Sequence, residues 1–158
     1  MYQRHSKKLH LEVFVSILIA CLIVAIGCSK KDQGESAGEI HWIEDIDHSL
    51  ALAKQQNKPL MIDFMATWCP PCQKMEDSTF SHPGVIQKAA SFITVRIDVD
   101  KQGEVADRYN CNAGKYGGIG IPNVLFLDKE GKELKHPIGY RGPEVFLAVM
   151  DSVLVMSE

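Results

Sequence analysis

The pattern of apolar and polar positions changes character several times along this chain, and each change predicts an element. Val13 to Gly27 is an uncharged apolar run of about fifteen residues. After a polar stretch, Ile40–Ile43 reads as a short first strand. Ser49–Gln56 is rich in helix formers, with Ser49 or Asp47 available as its cap and Asn57 and Pro59 ending it. Leu60–Ala66 is an apolar run interrupted by Asp63 and bounded by Pro59 and Thr67, which predicts a buried strand. A helix is predicted over Pro70–Ser78, with proline tolerated in its first turn, and a second short one over Gly84–Ala90. Phe92–Val99 alternates as a strand, through Phe92, Ile93, Val95, Ile97 and Val99. Glu104–Tyr109 is a helix, Asn123–Asp128 a strand, and Lys129–Lys132 a turn into a further strand at Glu133–His136. Pro143 opens a final amphipathic helix with Val145, Phe146, Val149, Val153 and Leu154 on its apolar side. The order β-α-β-α-β-α-β-β-α predicts an α/β fold, a mixed sheet with helices on both faces.

The first apolar run is short for a membrane-spanning helix, which needs roughly 20 residues. Arg4, Lys7 and Lys8 precede it, as in the charged region of an export signal. It ends Ala25-Ile26-Gly27-Cys28-Ser29, which resembles the lipobox of bacterial lipoproteins, although Ala25 stands where that motif usually has Leu. The resemblance implies that residues 1–27 are a signal peptide, that Cys28 is lipidated and that the protein is held to the membrane by that lipid. An uncleaved anchor and ordinary secretory cleavage are the alternatives. All three put the remainder on the exported, periplasmic side, because the positive charges precede the run. Ser29 is similar to outer-membrane sorting in a Gram-negative envelope, where Asp is the usual retention signal. Residues 28–39, with Gly34, Ser36, Gly38 and several charges but no aromatics before Ile40, read as a flexible tether. Residues 40–158 are long enough for one domain with its own core.

Charge excludes one class of partner. The whole chain carries 17 basic and 20 acidic residues. Without residues 1–27 the balance becomes 14 to 19, and no basic patch argues for nucleic acid.

The chemistry concentrates in Trp68-Cys69-Pro70-Pro71-Cys72, at the predicted strand-to-helix junction. Two thiols two residues apart can close and reopen a disulfide. Helix N-termini favour thiolate, lowering cysteine pKa values from about 8.5 to between about 3.5 and 7.5. Such a pair could also be half of a zinc site or an inert disulfide. Zinc would need a second pair, and Cys21, Cys28, Cys111 and His82 do not supply one; no metal and no cofactor are expected. Trp68 and the two prolines suit an exchange site better than an inert crosslink. After export and lipidation, Cys69, Cys72 and Cys111 would remain as thiols. A reduced pair in an oxidising compartment needs an electron supply.

The run from Asp63 through Cys72, then Ile121-Pro122, then Asp128-Lys129-Glu130-Gly131, resembles the thioredoxin-fold family. Within it, Cys72-Gln73-Lys74-Met75-Glu76 and Thr79-Phe80-Ser81-His82-Pro83-Gly84-Val85 are similar to the C-terminal periplasmic domains of the DsbD family. The resemblance implies a central mixed sheet flanked by helices and assigns roles. Cys69, at the exposed helix edge, would be the nucleophile and Cys72 the resolving thiol. Asp63, apolar-flanked in mid-strand, would be a buried acid that takes the Cys72 proton; a purely structural acid is the alternative. The family often places a Lys beside that acid, where the neighbouring strand here offers Thr94 and Arg96. Ile121-Pro122 would be the cis-proline loop, with Ile121 backbone pairing to a substrate strand, and Trp68 would shield the disulfide or serve packing alone. Tyr109 and Tyr116 both align with the tyrosine before that loop, so about seven residues look inserted between them. Cys111 reads as a spare, inert thiol, and His41, His48, His82 and His136 as surface or packing residues.

The function so implied is that of an enzyme, a membrane-tethered thiol-disulfide oxidoreductase that reduces exported proteins and is recharged by a membrane electron donor. A cytochrome c maturation reductase is the alternative within the class. A thioredoxin-fold chaperone or binding module is the alternative outside it, disfavoured by the intact Cys69/Cys72 pair together with Asp63 and Pro122.

Overall fold

The structure is a computed structural model that describes residues 38–111 and 120–158. The signal segment, Cys28, most of the 28–39 tether and Tyr116 lie outside the described residues. Among those described, no helix is long and apolar enough to cross a membrane.

The elements run α1 (Ile46–Gln56), β1 (Leu60–Met65), α2 (Pro70–Met75), a π-helical turn (Glu76–Phe80), α3 (Pro83–Ala89), β2 (Ile93–Asp98), α4 (Gly103–Arg108), β3 (Asn123–Leu127), β4 (Glu133–Lys135) and α5 (Pro143–Met156). The four strands form one sheet in the order β2-β1-β3-β4. β1 pairs parallel with β2 and antiparallel with β3, and β4 closes an antiparallel edge.

Alternation along the strands divides the core into two layers. Leu60, Ile62 and Phe64 of β1, Ile93, Val95 and Ile97 of β2, and Leu125 and Leu127 of β3 point to one face, where Ile46 and Ala53 of α1 and Ala106 of α4 cover them. Met61, Val124 and Phe126 point to the other, against Val85 and Ala89 of α3 and Phe146, Met150 and Val153 of α5. Both layers are therefore closed by helices, as the element order predicts. Asp63 shares the side-chain phase of Met61, and Thr94 and Arg96 share one phase of β2.

Four expectations change. Ile40–Ile43 is not a strand: Ile43 makes a single parallel bridge to Val95, held by its N–H on Thr94 O and its carbonyl on Arg96 N, both at 2.9 Å. Two residues later Asp45 caps α1 by accepting from His48 N at 2.9 Å, so no length remains for a ladder. Neither Asp47 nor Ser49 is that cap. The helix predicted over 70–78 leaves α geometry at Glu76 and continues as the wider turn to Phe80. Ser78 Oγ donates back to Lys74 O at 2.6 Å, and such back-bonding competes with the helical ladder. On α5, Val145 is exposed and Met150 takes the buried place, because Phe146, Met150 and Val153 lie at helical spacing on one face.

Candidate active site

β1 delivers the chain to the redox pair. After Met65 the strand ends, Cys69 N donates to Ala66 O at 3.2 Å, and Cys69 becomes the N-cap of α2. Its Sγ accepts the Cys72 amide hydrogen at 3.3 Å, while its carbonyl starts the helical ladder to Cys72 and Gln73 at 3.1 Å. Pro70 and Pro71 occupy the first turn, where their missing N–H groups cost nothing to the helix. Cys69 and Cys72 are joined as a disulfide, with Cα atoms 5.3 Å apart. Cys69 is not the exposed edge residue expected: it is only 2% exposed. Bonding to Cys72 turns its sulfur back over the first helical turn. A sulfur in this position accepts from a first-turn helix amide, the arrangement that favours charge on sulfur once the disulfide opens.

Trp68 stands at the surface, 61% exposed, and its Nε1–H donates to Asp100 Oδ2 in the turn after β2. Gln73 Nε2 donates to Thr67 O at 2.7 Å, bracing the same junction from the helix side.

Asp63 is buried, as its apolar flanks imply. Parallel pairing sets Asp63 opposite Arg96, and Arg96 Nε donates to Asp63 Oδ2 at 3.1 Å. The other end of the guanidinium binds Glu76 Oε2 at the start of the π-helical turn. Its plane lies over Trp42, with Cζ 4.2 Å from the ring centroid, and 5.6 Å from Phe80. Arg96, rather than Thr94, is thus the cation beside the acid; Thr94 Oγ1 instead donates to His41 O at 2.5 Å. Asp63 Oδ1 is buried without a hydrogen-bond partner among the described residues. Burial pushes the Asp63 carboxyl from 3.8 to about 6, against the opposing pull of Arg96 and with a smaller push from Glu76. Desolvation outweighs the ion pair because one guanidinium reaches only one of the two carboxylate oxygens.

The third part enters from β3. Asn123 pairs with Phe64, so Pro122 lies at the end of β1 from which the chain runs on to Cys69. The Ile121–Pro122 bond is cis. Pro122 is buried, its carbonyl accepts from Gly139 N at 2.7 Å, and Ile121 is half-buried beside it.

Cys111 is free and buried. Desolvation pushes its thiol up to about 12, despite the hydrogen bond to Asn123, so it is held as a neutral thiol. His82 is the N-cap of α3, its Nδ1 accepting from Gly84 N at 3.2 Å. His136 is half-buried against Asn123, and burial lowers its pKa. Among the described residues no group of three or more His, Cys, Asp or Glu side chains is placed to hold a metal ion. The sequence reading missed Trp42, Glu76, Asp100 and Asn123. Only Glu76 carried a local signal, lying one helical turn beyond Cys72.

Comparison with known proteins places this arrangement. A thioredoxin-like family model matches residues 41–129. The thiol:disulfide interchange protein DsbD of Vibrio vulnificus is 33% identical over 98 residues, covering 62% of this chain and 16% of that protein. The chain therefore spans under a fifth of the length of that curated relative. Among solved structures, a thioredoxin from Thermus thermophilus superposes with a TM-score of 0.63 at 28% identity, over 76% of this chain and 91% of that one. The oxidised C-terminal domain of Neisseria meningitidis DsbD superposes with a TM-score of 0.55 at 23% identity, over 70% and 97% of the two chains. The mixed sheet, the cysteine pair capping the helix after β1 and a family match across more than half of the sequence lead to one conclusion: the chain belongs to the thioredoxin-like family.

Proposed function

We propose that this protein is a thiol-disulfide oxidoreductase that reduces disulfides in exported proteins. The observation that carries the reading is the Cys69–Cys72 disulfide at the N-cap of α2, with the Cys72 amide on Cys69 Sγ. In the reduced protein the Cys69 thiolate attacks a substrate disulfide. A mixed disulfide forms and one substrate sulfur leaves as thiolate. Asp63 takes the proton of Cys72, whose sulfur then attacks Cys69 Sγ and releases the second substrate sulfur. The substrate gains two electrons and the protein is left as the disulfide. Trp68 and the Ile121–Pro122 loop form the substrate-facing rim, with Ile121 backbone groups pairing to an extended substrate segment.

The setting is also proposed. The thioredoxin-like domain is held on the periplasmic side by a lipid on Cys28, with residues 28–39 as tether. A membrane electron donor returns two electrons per cycle, and Asp63 gives its proton back to Cys72. The likeness to DsbD, a thiol:disulfide interchange protein by name, supports exchange with protein disulfides, and the reducing direction is part of the proposal.

Two measurements test this. Cys72→Ala should accumulate mixed disulfides with substrate proteins and Cys69→Ala should not; equal trapping by both would overturn the assignment. Titration against glutathione should put the couple nearer thioredoxin's roughly −270 mV than the roughly −120 mV of a strong oxidant. A value near the latter, with the pair oxidised in cells, would reverse the direction.

A further inference from the structure

Asn123 follows Pro122 directly and is completely buried at the start of β3. Its Nδ2 donates to Gly120 O at 3.0 Å, so the side chain closes a four-residue loop with Ile121 and Pro122 at its corner. Its Oδ1 lies 3.0 Å from His136 Nε2 and 3.4 Å from Cys111 Sγ, whose one thiol hydrogen also has Tyr109 O in reach at 3.2 Å. A carboxamide has one accepting and one donating end. With the imidazole hydrogen on Nε2, His136 aims a hydrogen at Oδ1. That orientation leaves Nδ2 facing Gly120. The backbone adds two ties: Asn123 pairs with Phe64 in β1 and bridges Ile138 beyond β4. Three segments of the chain thus converge on one buried side chain while β1 pairs with its backbone, and none of these contacts involves the redox sulfurs.

We propose that Asn123 is the positioning residue of the substrate-facing loop, its carboxamide oriented by His136 so that the Gly120–Ile121 backbone is held in the conformation offered to a substrate strand. The inference rests on reading Ile121–Pro122 as that loop. An apolar side chain at 123 would strip Gly120 O of this donor and leave the His136 N–H facing a buried gap, a penalty greater than the net worth of the bonds themselves. The loop would then sample other conformations. A protein substrate, which must pair along the loop, would lose affinity. A small disulfide, which needs only the sulfur chemistry, would not.

The test compares wild type, Asn123→Ala and His136→Phe as detergent-solubilised full chains, with three readouts. These are insulin reduction, reaction of the reduced protein with the small disulfide 5,5′-dithiobis(2-nitrobenzoic acid), and NMR order parameters of the Gly120 and Ile121 amides. Asn123→Ala should raise KM for insulin on the order of fivefold, the effect of about one lost hydrogen bond. Its kcat and its rate with the small disulfide should stay within about twofold, and order should fall at both amides. His136→Phe should show the same pattern at smaller amplitude. Because His136 is half-buried at the edge of the sheet, that variant carries the comparison if Asn123→Ala does not fold. An unchanged insulin KM, or equal losses with both disulfides, overturns the positioning role. Should wild type fail to reduce insulin, the functional reading falls, and the amide order parameters alone then decide whether Asn123 holds the loop.

Discussion

Replacing Asp63 by Asn should make the oxidised protein more stable and a poorer catalyst, and the stability gain should depend on pH in a defined window. In the folded protein burial raises the carboxyl to about 6, whereas an unfolded chain releases the proton near 3.8. A group raised in the folded state contributes stability that is fully present below its unfolded pKa and lost as pH rises through its folded pKa. Wild type therefore loses stability between about pH 4 and pH 6 on account of this one residue, and the loss is complete above pH 6. A gap of about 2 pKa units, at 1.36 kcal/mol each, amounts to about 3 kcal/mol. Asn has nearly the same shape, carries no charge to desolvate and can still accept from Arg96 Nε. Part of the gain is offset because the guanidinium loses a charged partner, though it keeps Glu76 and the face of Trp42. A net gain of about 1–3 kcal/mol at pH 8 follows, shrinking toward zero at pH 4. Urea denaturation of both oxidised proteins at these two pH values reads it directly. For an m-value of about 1.5 kcal/mol per molar, the midpoints should differ by about 1–2 M at pH 8 and by little at pH 4. In the same variant, reduction of a protein disulfide should slow on the order of 10²-fold, since Cys72 would lose its proposed proton acceptor. A stability difference equal at both pH values, or an Asp63→Asn variant less stable than wild type at pH 8, would refute the idea that a desolvated carboxylate is the source.

Arg96→Met should move the pH-rate profile of disulfide reduction to higher pH, because burial of Asp63 would then act without the opposing guanidinium. It should also cost about 2–4 kcal/mol at pH 7, with the buried carboxylate left unpaired, and an unshifted profile in a folded variant would contradict the coupling. Cys28→Ala should abolish labelling of the protein with a palmitate analogue in cells, and persistent labelling would rule out the lipid anchor.

The parts of this protein that were legible in the sequence are those written in consecutive residues. Leu60–Ala66 is a strand because an apolar run stands between Pro59 and a helix start, and Cys69 and Cys72 meet because two residues separate them at a helix N-terminus. The mixed sheet followed from the order of such segments. The misread places are those where a local pattern met a competing contact. Ile40–Ile43 has strand composition, but the Asp45 cap commits the chain to helix at once. Val145 has the right hydropathy for a core position, but the phase of Phe146, Met150 and Val153 turns it outward.

Register decides the rest, and register is invisible to a one-dimensional reading. Thr94 and Arg96 lie two apart and share one side-chain phase of β2, so alternation alone leaves either free to neutralise Asp63. The parallel pairing of β1 with β2 aligns Met61 with Thr94 and Asp63 with Arg96, and a shift by two residues would exchange the roles. That alignment puts a permanent cation against the proposed proton acceptor and lets the same group reach Glu76 at the end of the active-site helix. A lysine there could offer the charge, but not a planar fork that spans two carboxylates while stacking on Trp42. The same holds for Asn123, which looks like an ordinary strand-initiating polar residue until β3 and the segment after β4 bring Gly120, Cys111 and His136 around its carboxamide. The sulfur chemistry of this protein is thus encoded locally. The tuning proposed for it, by Arg96 through Asp63 and by Asn123 through the Ile121–Pro122 loop, is encoded in how the strands align.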